Sequence, residues 1–68
     1  MTNLYSTKCT TNLWVHKGTM RNRSVGMLTA NEYVMLLEDY PNCWNEMVLI
    51  VCYSGKIGYV PSTHIWQA

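Results

Sequence analysis

The sequence has no phenylalanine, few charges and no long hydrophobic segment. Its 68 residues include five Lys and Arg and four Asp and Glu, for a net charge of +1. So small a charge does not indicate the nucleic-acid or membrane binding that a strongly basic surface drives. The longest apolar run, MVLIVCY at 47–53, is far below the ~20 residues of a membrane helix. The N-terminal MTNLYSTKCT also lacks the apolar core of a secretory signal. These absences predict a cytoplasmic protein without a membrane segment.

Cysteine and histidine are both scarce. Cys9, Cys43 and Cys52 are odd in number and contain no C-x-x-C spacing, which argues against a closed disulfide framework and a zinc site. We expect reduced thiols, with Cys52 buried as a small hydrophobe within its apolar strand. His16 and His64 match no recognised metal-site spacing, and the sequence predicts no metal and no cofactor.

The length of the chain predicts one domain, and the distribution of charged residues divides it into a basic and an acidic segment. A chain of 68 residues supports a single core, because it buries only ~60% of its unfolded surface. Residues 1–31 carry basic side chains and no acidic ones, whereas Glu32, Glu38, Asp39 and Glu46 follow with no base before Lys56. Either segment could attract a partner of opposite charge.

Apolar periodicity predicts five short strands, at about 12–17, 32–39, 44–53, 56–60 and 64–66. In the second, Tyr33, Met35 and Leu37 alternate with Val34 and Leu36. One or two helical turns are the alternative there, but the YPN turn at 40–42 favours a short strand. With a long loop from 17 to about 25, the pattern indicates an all-β barrel or a small two-sheet sandwich. Closure favours the barrel because it hides edge strands.

A tight hairpin is predicted near the C-terminus. Ser54 and Gly55 form a two-residue turn in this prediction, which places Cys52 opposite Ile57 and Val51 opposite Gly58. Gly58 then marks a bulge or a close packing contact. Pro61 ends the strand, and the PST that it begins forms a one-turn connector.

Two segments resemble a known family. LLEDYPNCW at 36–44, the apolar strand after it and GKIGYVPSTHI at 55–65 resemble the second half of a Src-homology-3 (SH3) domain. NLWVHKGTMRNRSVGMLTANEYVMLL at 12–37 is similar to the bacterial branch of that superfamily. The resemblance implies a small five-stranded SH3-like barrel over 12–68. Residues 1–11 would be an N-terminal extension or an extra strand.

The resemblance also implies a peptide groove. Trp44 would stand on the groove surface, although core filling is its alternative role, and Pro61 and His64 would form the opposite wall. Tyr40 would lie on the acidic loop, with Glu38 and Asp39, that borders the groove. In this family the position of Tyr59 more often belongs to the core. Strand alternation alone does not decide whether Trp14 faces the core or the surface.

The sequence departs from the eukaryotic pattern in ways that change the expected ligand. The tyrosine-rich stretch of the groove is reduced to LYS at 4–6, and Thr63-His64 replaces the expected Asn-Tyr. Lys17, Arg21 and Arg23 replace the acidic cluster that would hold a basic ligand residue. We therefore expect Arg21 and Arg23 to face an acidic peptide or partner protein.

The function that these observations predict is non-enzymatic binding of a protein or an extended peptide. Ser62 and His64 are two residues apart on an extended segment, with no carboxylate close in sequence, which disfavours nucleophilic catalysis. The alternatives are cell-wall peptide binding, as in bacterial SH3 domains, and nucleic-acid binding by a small barrel, for which three basic residues are a weak footprint. A homo-oligomer is also open. Because the sequence starts at Met1, we expect a small accessory protein of phage or bacterial origin.

Overall fold

The computed structural model describes residues 3–18, 21–38 and 46–68. These residues confirm the all-β class, with seven strands where the sequence predicted five. The strands are β1 Leu4–Thr7, β2 Thr11–Trp14, β3 Ser24–Leu28, β4 Tyr33–Leu36, β5 Met47–Cys52, β6 Ile57–Pro61 and β7 Ile65–Gln67, with a 3₁₀ helix at Ser62–His64. None of the described residues form a helix with the length and hydropathy needed to cross a bilayer.

All seven strands join one antiparallel sheet. Their hydrogen-bonded order is β3-β2-β6-β5-β4-β1-β7. β1 lies between β4 and β7, with Leu4 opposite Met35 and Tyr5 opposite Gln67. β1 and β3 are the strands that periodicity did not predict: the first is four residues long and the second carries Gly26 at its centre, so neither presents a strong apolar pattern.

Strand alternation divides the sheet into a core face and an outer face. Val34 and Leu36 are buried while Tyr33, Met35 and Leu37 are exposed, as the sequence predicts. The core consists of Leu13, Leu28, Val34, Leu36, Val48, Ile50, Cys52, Val60 and Ile65. We use the term outer face for the strand side chains that alternate with these. The predicted burial of Cys52 is therefore confirmed.

The β5–β6 hairpin forms, but its predicted register is wrong by one residue. Val51 lies opposite Ile57 and Ile50 opposite Gly58. The Cys52 N–H donates to the Lys56 carbonyl at 2.9 Å and the Gly55 N–H to the Cys52 carbonyl at 2.9 Å. The loop is thus three residues long, a turn closed by Gly55 at φ 95°. Glycine is required there because the left-handed backbone of such a loop excludes most side chains.

Gly58 makes the close packing contact that the sequence predicted. A methyl group on its Cα would lie 2.7 Å from Leu13 Cγ and 2.8 Å from the Trp14 carbonyl oxygen. The β2–β3 register shifts between Leu13 and Trp14, so the bulged part of β2 presses on the bare backbone of β6. The absence of a side chain at Gly58 is what lets β2 pair with β6.

The turn between β3 and β4 is attached to β1 through Thr7, which is fully buried. Its hydroxyl donates to the Thr29 carbonyl at 2.6 Å and accepts from the Glu32 N–H at 2.9 Å. Its N–H donates to the Glu32 carbonyl, and its carbonyl accepts from the Asn31 N–H, both at 2.9 Å. These four bonds attach the turn that follows β3 to β1, which itself pairs with β7. Two of the four bonds involve the Thr7 hydroxyl, so one buried side chain fixes this turn against β1.

Candidate functional site

The 3₁₀ helix Ser62–His64 places two of the predicted groove residues side by side. Pro61, half-buried with φ −59° and ψ 133°, leads into it, and His64 ends it. The Ser62 N–H donates to the Glu46 carbonyl at 2.7 Å, and the His64 carbonyl accepts from the Lys8 N–H at 2.8 Å. The turn is therefore attached to the start of β5 and to the β1–β2 connection.

The His64 ring is held by a buried threonine. Its Nδ1 lies 2.8 Å from Thr11 Oγ1, and Thr11 is only 5% exposed. The hydroxyl can donate to an unprotonated Nδ1 or accept from a protonated one, so the contact fixes the ring in either state. Ser62, two residues before His64, is fully buried. The Nδ1 of His64 is directed at Thr11. The structure therefore orients the half-buried His64 ring through its hydrogen bond to Thr11.

Trp44 and Tyr40, with Asp39, lie outside the residues that the structure describes. The nearest described neighbour of Trp44 is Glu46, two positions later, whose carbonyl is the acceptor for Ser62. On the other side of the gap, Glu38 Oε1 accepts from the Leu49 N–H at 3.0 Å. Both described ends of the gap are thus hydrogen-bonded to the framework, one at the 3₁₀ helix and one at β5.

An apolar strip follows the outer face of β6. Pro61 and Tyr59 alternate with buried Gly58 and Val60 and are half-buried. Tyr59 lies directly opposite Trp14 on β2 and Leu49 on β5. Directly opposed strand residues have Cβ atoms about 5 Å apart, so these side chains form one surface. We call Trp14, Met47, Leu49, Tyr59 and Pro61 the β6 strip.

The β6 strip includes two residues, Tyr59 and Trp14, that were not predicted to line the groove. The SH3 resemblance favoured the core for Tyr59, but the structure puts it on the same face as Pro61. Alternation within β6 could have found this, since positions two apart in a strand share a face. Trp14 could not be assigned because the β2 register shifts beside it.

Arg21 and Arg23 lie on the loop between β2 and β3, which is organised by Asn22. The Asn22 side chain accepts from the backbone N–H of His16 at 2.8 Å and of Arg23 at 3.0 Å. It also donates to the carbonyls of His16, at 2.8 Å, and Gly18. Arg21 has a left-handed φ of 54°, and both arginines are exposed. Arg21 and Arg23 therefore flank an asparagine that is hydrogen-bonded to His16 and Gly18.

The structure does not bring all the predicted residues to one point. Thr11, the partner of His64, begins β2, and Val15, whose N–H donates to the Arg23 carbonyl, follows its end. Four residues of strand separate these two positions, about 13 Å. Pro61 and His64 thus lie near one end of β2 and the arginines near the other. The β6 strip runs between them.

Cys52 is a buried thiol whose ionisation is perturbed. Its Sγ lies 3.1 Å from Ser54 Oγ in the hairpin loop. Burial raises the pKa of this thiol, but hydrogen bonds from the Ser54 hydroxyl and from the backbone of Lys56, Ser54 and Cys52 itself lower it, and the net pKa is below the usual value. The thiolate form is favoured because those donors bind it more strongly than the thiol.

Ser54→Ala should raise the pKa of Cys52, because the thiolate loses one of its donors. Thiolate absorbance titrated against pH, in a Cys9→Ser, Cys43→Ser background, reports this one thiol. The native pKa is depressed, so its contribution to stability grows as pH rises from the folded pKa towards the unfolded one and is lost as pH falls through the folded pKa. The free energy of unfolding should therefore depend less on pH in Ser54→Ala than in the wild type, and its dependence on pH should be unchanged in Ser24→Ala. An unchanged titration would mean that Ser54 is not a donor.

No group of three or more His, Cys, Asp or Glu side chains that could hold a metal ion occurs in the part of the chain that the structure describes. Comparison of the chain with family models, curated proteins and solved structures finds no match.

Proposed function

We propose that the protein is a non-enzymatic interaction module that binds an extended peptide segment of a partner protein. The observation that carries the proposal is the β6 strip, an apolar, partly aromatic surface between the hydrogen-bonded His64 turn and the exposed arginines. Extended peptides bind such surfaces by laying side chains on aromatic faces, while flanking charges select the sequence.

We further propose that the fold is an SH3-like barrel. The segment Gly58 to Ser62, a hairpin before it, a one-turn 3₁₀ helix after it and a final short strand are the features on which the resemblance depends. The antiparallel pairing of β2 with β6 and of β1 with β7 brings distant segments of the chain together, as a small barrel requires. We also propose that Trp44, which lies outside the described residues, contributes to the binding surface, as the SH3 resemblance implies.

The length of the strip sets the size of the ligand. The span of about 13 Å from Thr11 to Val15 accommodates about four extended residues, at about 3.3 Å for each. Arg21 and Arg23 favour a carboxylate at one end of that peptide, whereas Tyr59 and Pro61 favour apolar or proline residues at the other. A shallow surface of this kind is expected to bind at about micromolar affinity, about −8 kcal/mol.

Peptide display tests this proposal without a known partner. Panning a random-peptide library against the wild type should enrich sequences with acidic residues beside apolar ones. A selected peptide, titrated by fluorescence anisotropy, should bind Tyr59→Leu at least about tenfold more weakly, a loss of about 1.4 kcal/mol. The variant keeps apolar volume but removes the aromatic face. Arg21→Glu with Arg23→Glu should weaken binding most at low salt.

Met27→Ala is the control, since Met27 is 66% exposed on β3 and lies outside the β6 strip. Trp44→Ala should fold and lose binding, and an unfolded Trp44→Ala would place that residue in the core. Peptides that bind every variant equally would contradict the proposed site. Enrichment of no peptide, with salt-sensitive binding of an oligonucleotide instead, would favour the nucleic-acid alternative.

A further inference from the structure

A second apolar surface covers the outer face towards the β5–β6 loop. Leu4, Met35, Val51 and Ile57 lie opposite one another in a single row across β1, β4, β5 and β6. Met35 is 49% exposed and Ile57 56%. Tyr33, two residues before Met35 on the same face, is 61% exposed, and Tyr53 in the hairpin loop is 98% exposed. We call these six residues the outer patch.

The outer patch contains a depression and no charge. A shallow hollow of about 300 Å³ is lined by Leu4, Tyr33, Met35, Val51 and Tyr53, with Val34 and Cys52 at its floor. None of these residues is Asp, Glu, Lys, Arg or His, and the row itself contains only apolar side chains. Depletion of charge is typical of the centre of protein interfaces, and contiguous exposed apolar surface of this kind is rare on monomers.

The size of the outer patch matches one side of a stable dimer. The exposed fractions of Leu4, Tyr33, Met35, Tyr53 and Ile57, at about 200 Å² for a fully exposed large side chain, amount to on the order of 600 Å². The half-buried Val51 and the backbone add to this. Standard protein interfaces bury about 800 Å² on each partner. One molecule of similar size could therefore cover the whole patch.

We propose that the partner of the outer patch is a second copy of this chain, in a twofold symmetric dimer. A twofold interface uses the same surface on both subunits, so that surface must carry both a projection and a recess. The outer patch has both, because Tyr53 projects almost fully into solvent at the rim of the depression. In the dimer each Tyr53 enters the depression of the other copy. A patch without charges offers no electrostatic choice of a foreign partner, which favours self-association.

The dimer is compatible with the peptide site. Pro61 lies four residues along β6 from Ile57, about 13 Å, and His64 lies beyond it. The twofold contact through the outer patch leaves this end of the β6 strip open on both subunits. The pair would then present two peptide sites, and linked sites raise apparent affinity for a repeated ligand without new contacts.

Sedimentation velocity of the full chain tests the dimer, with concentration varied from low micromolar to submillimolar. Reducing agent is included because Cys9 is exposed and free. The wild type should sediment as a dimer. Met35→Glu and Tyr53→Glu should each raise the dissociation constant at least tenfold, because a carboxylate would be buried without a partner. Met27→Glu, the same change at a more exposed methionine, should remain dimeric.

Circular dichroism checks that each variant folds, and Tyr53→Glu serves if Met35→Glu does not, because a loop side chain that is 98% exposed contributes no core contact. A wild type that is monomeric throughout overturns the proposal. Met27→Glu dissociating as readily as Met35→Glu, or open-ended polymers in place of dimers, overturns it as well. If a monomeric Tyr53→Glu still binds peptide, the loss of the dimer leaves the proposed peptide site intact, so the two proposals are tested separately.

Discussion

Gly58→Ala is expected to destabilise the protein by about 3 kcal/mol, the upper end of the usual cost of overpacking a core. The added methyl group would lie 2.7 Å from Leu13 Cγ and 2.8 Å from the Trp14 carbonyl oxygen. A side chain can change rotamer, but the carbonyl belongs to the β2 backbone and can move only if the strand pair opens. A domain of this length has about 3–10 kcal/mol of stability in total, so this one methyl group removes a large part of it.

Urea denaturation followed by tryptophan fluorescence measures this loss. Gly18→Ala is the matched control, because a methyl group at Gly18 has no neighbour within 4 Å. The control should keep the wild-type midpoint to within about 0.5 kcal/mol, the usual effect of a surface change. Equal midpoints for Gly58→Ala and Gly18→Ala would show that β2 does not press on β6 as the structure indicates.

Thr7→Val is expected to cost about 2–3 kcal/mol, although it keeps the shape of the side chain. The change removes the hydroxyl that donates to the Thr29 carbonyl and accepts from the Glu32 N–H. Both backbone groups then lose a partner at a site where Thr7 is fully buried, and an unsatisfied buried polar group costs about 1–3 kcal/mol. The added methyl group regains part of this through apolar burial.

The Thr7 effect should be local as well as global. Amide hydrogen exchange should accelerate most at Glu32 and Asn31, whose N–H groups bond to Thr7. Thr10→Val, at an exposed threonine three residues later, is the control and should alter neither stability nor exchange at the turn. Uniform acceleration across the whole sheet would indicate that the turn and the sheet open as one unit.

Sequence reasoning succeeded where alternation was long and uninterrupted. β4 follows the predicted faces of Val34 and Met35 because period-two burial has only one solution over four residues. It failed at the hairpin, since Ser54-Gly55 fits a two-residue turn and also the end of a three-residue loop with Gly55 at positive φ. Glycine permits both, and the cross-strand packing of Ile50 on Gly58 decides between them.

The candidate site was less accessible to sequence reasoning than the strands. Pro61 and His64 follow from a local motif, and their proximity across one 3₁₀ turn was predictable. The Thr11 contact to His64 was not, because it joins residues 53 positions apart and threonine occurs in many environments. The separation of the arginines from His64 likewise depends on which strand β2 pairs with, and no local pattern specifies that partner.

The position of β1 between β4 and β7 has a consequence for how the chain reaches its native state. Leu4 pairs with Met35, and Tyr5 pairs with Gln67 near the opposite terminus. The β5–β6 hairpin closes a loop of a few residues, whereas β1 must close loops of about 30 and 60 residues, at a higher entropic cost. Pairing by β1 therefore belongs to the late part of folding. Until then β4 and β7 keep free edges between which any extended strand can insert, so the nascent chain is vulnerable to strand exchange with another copy.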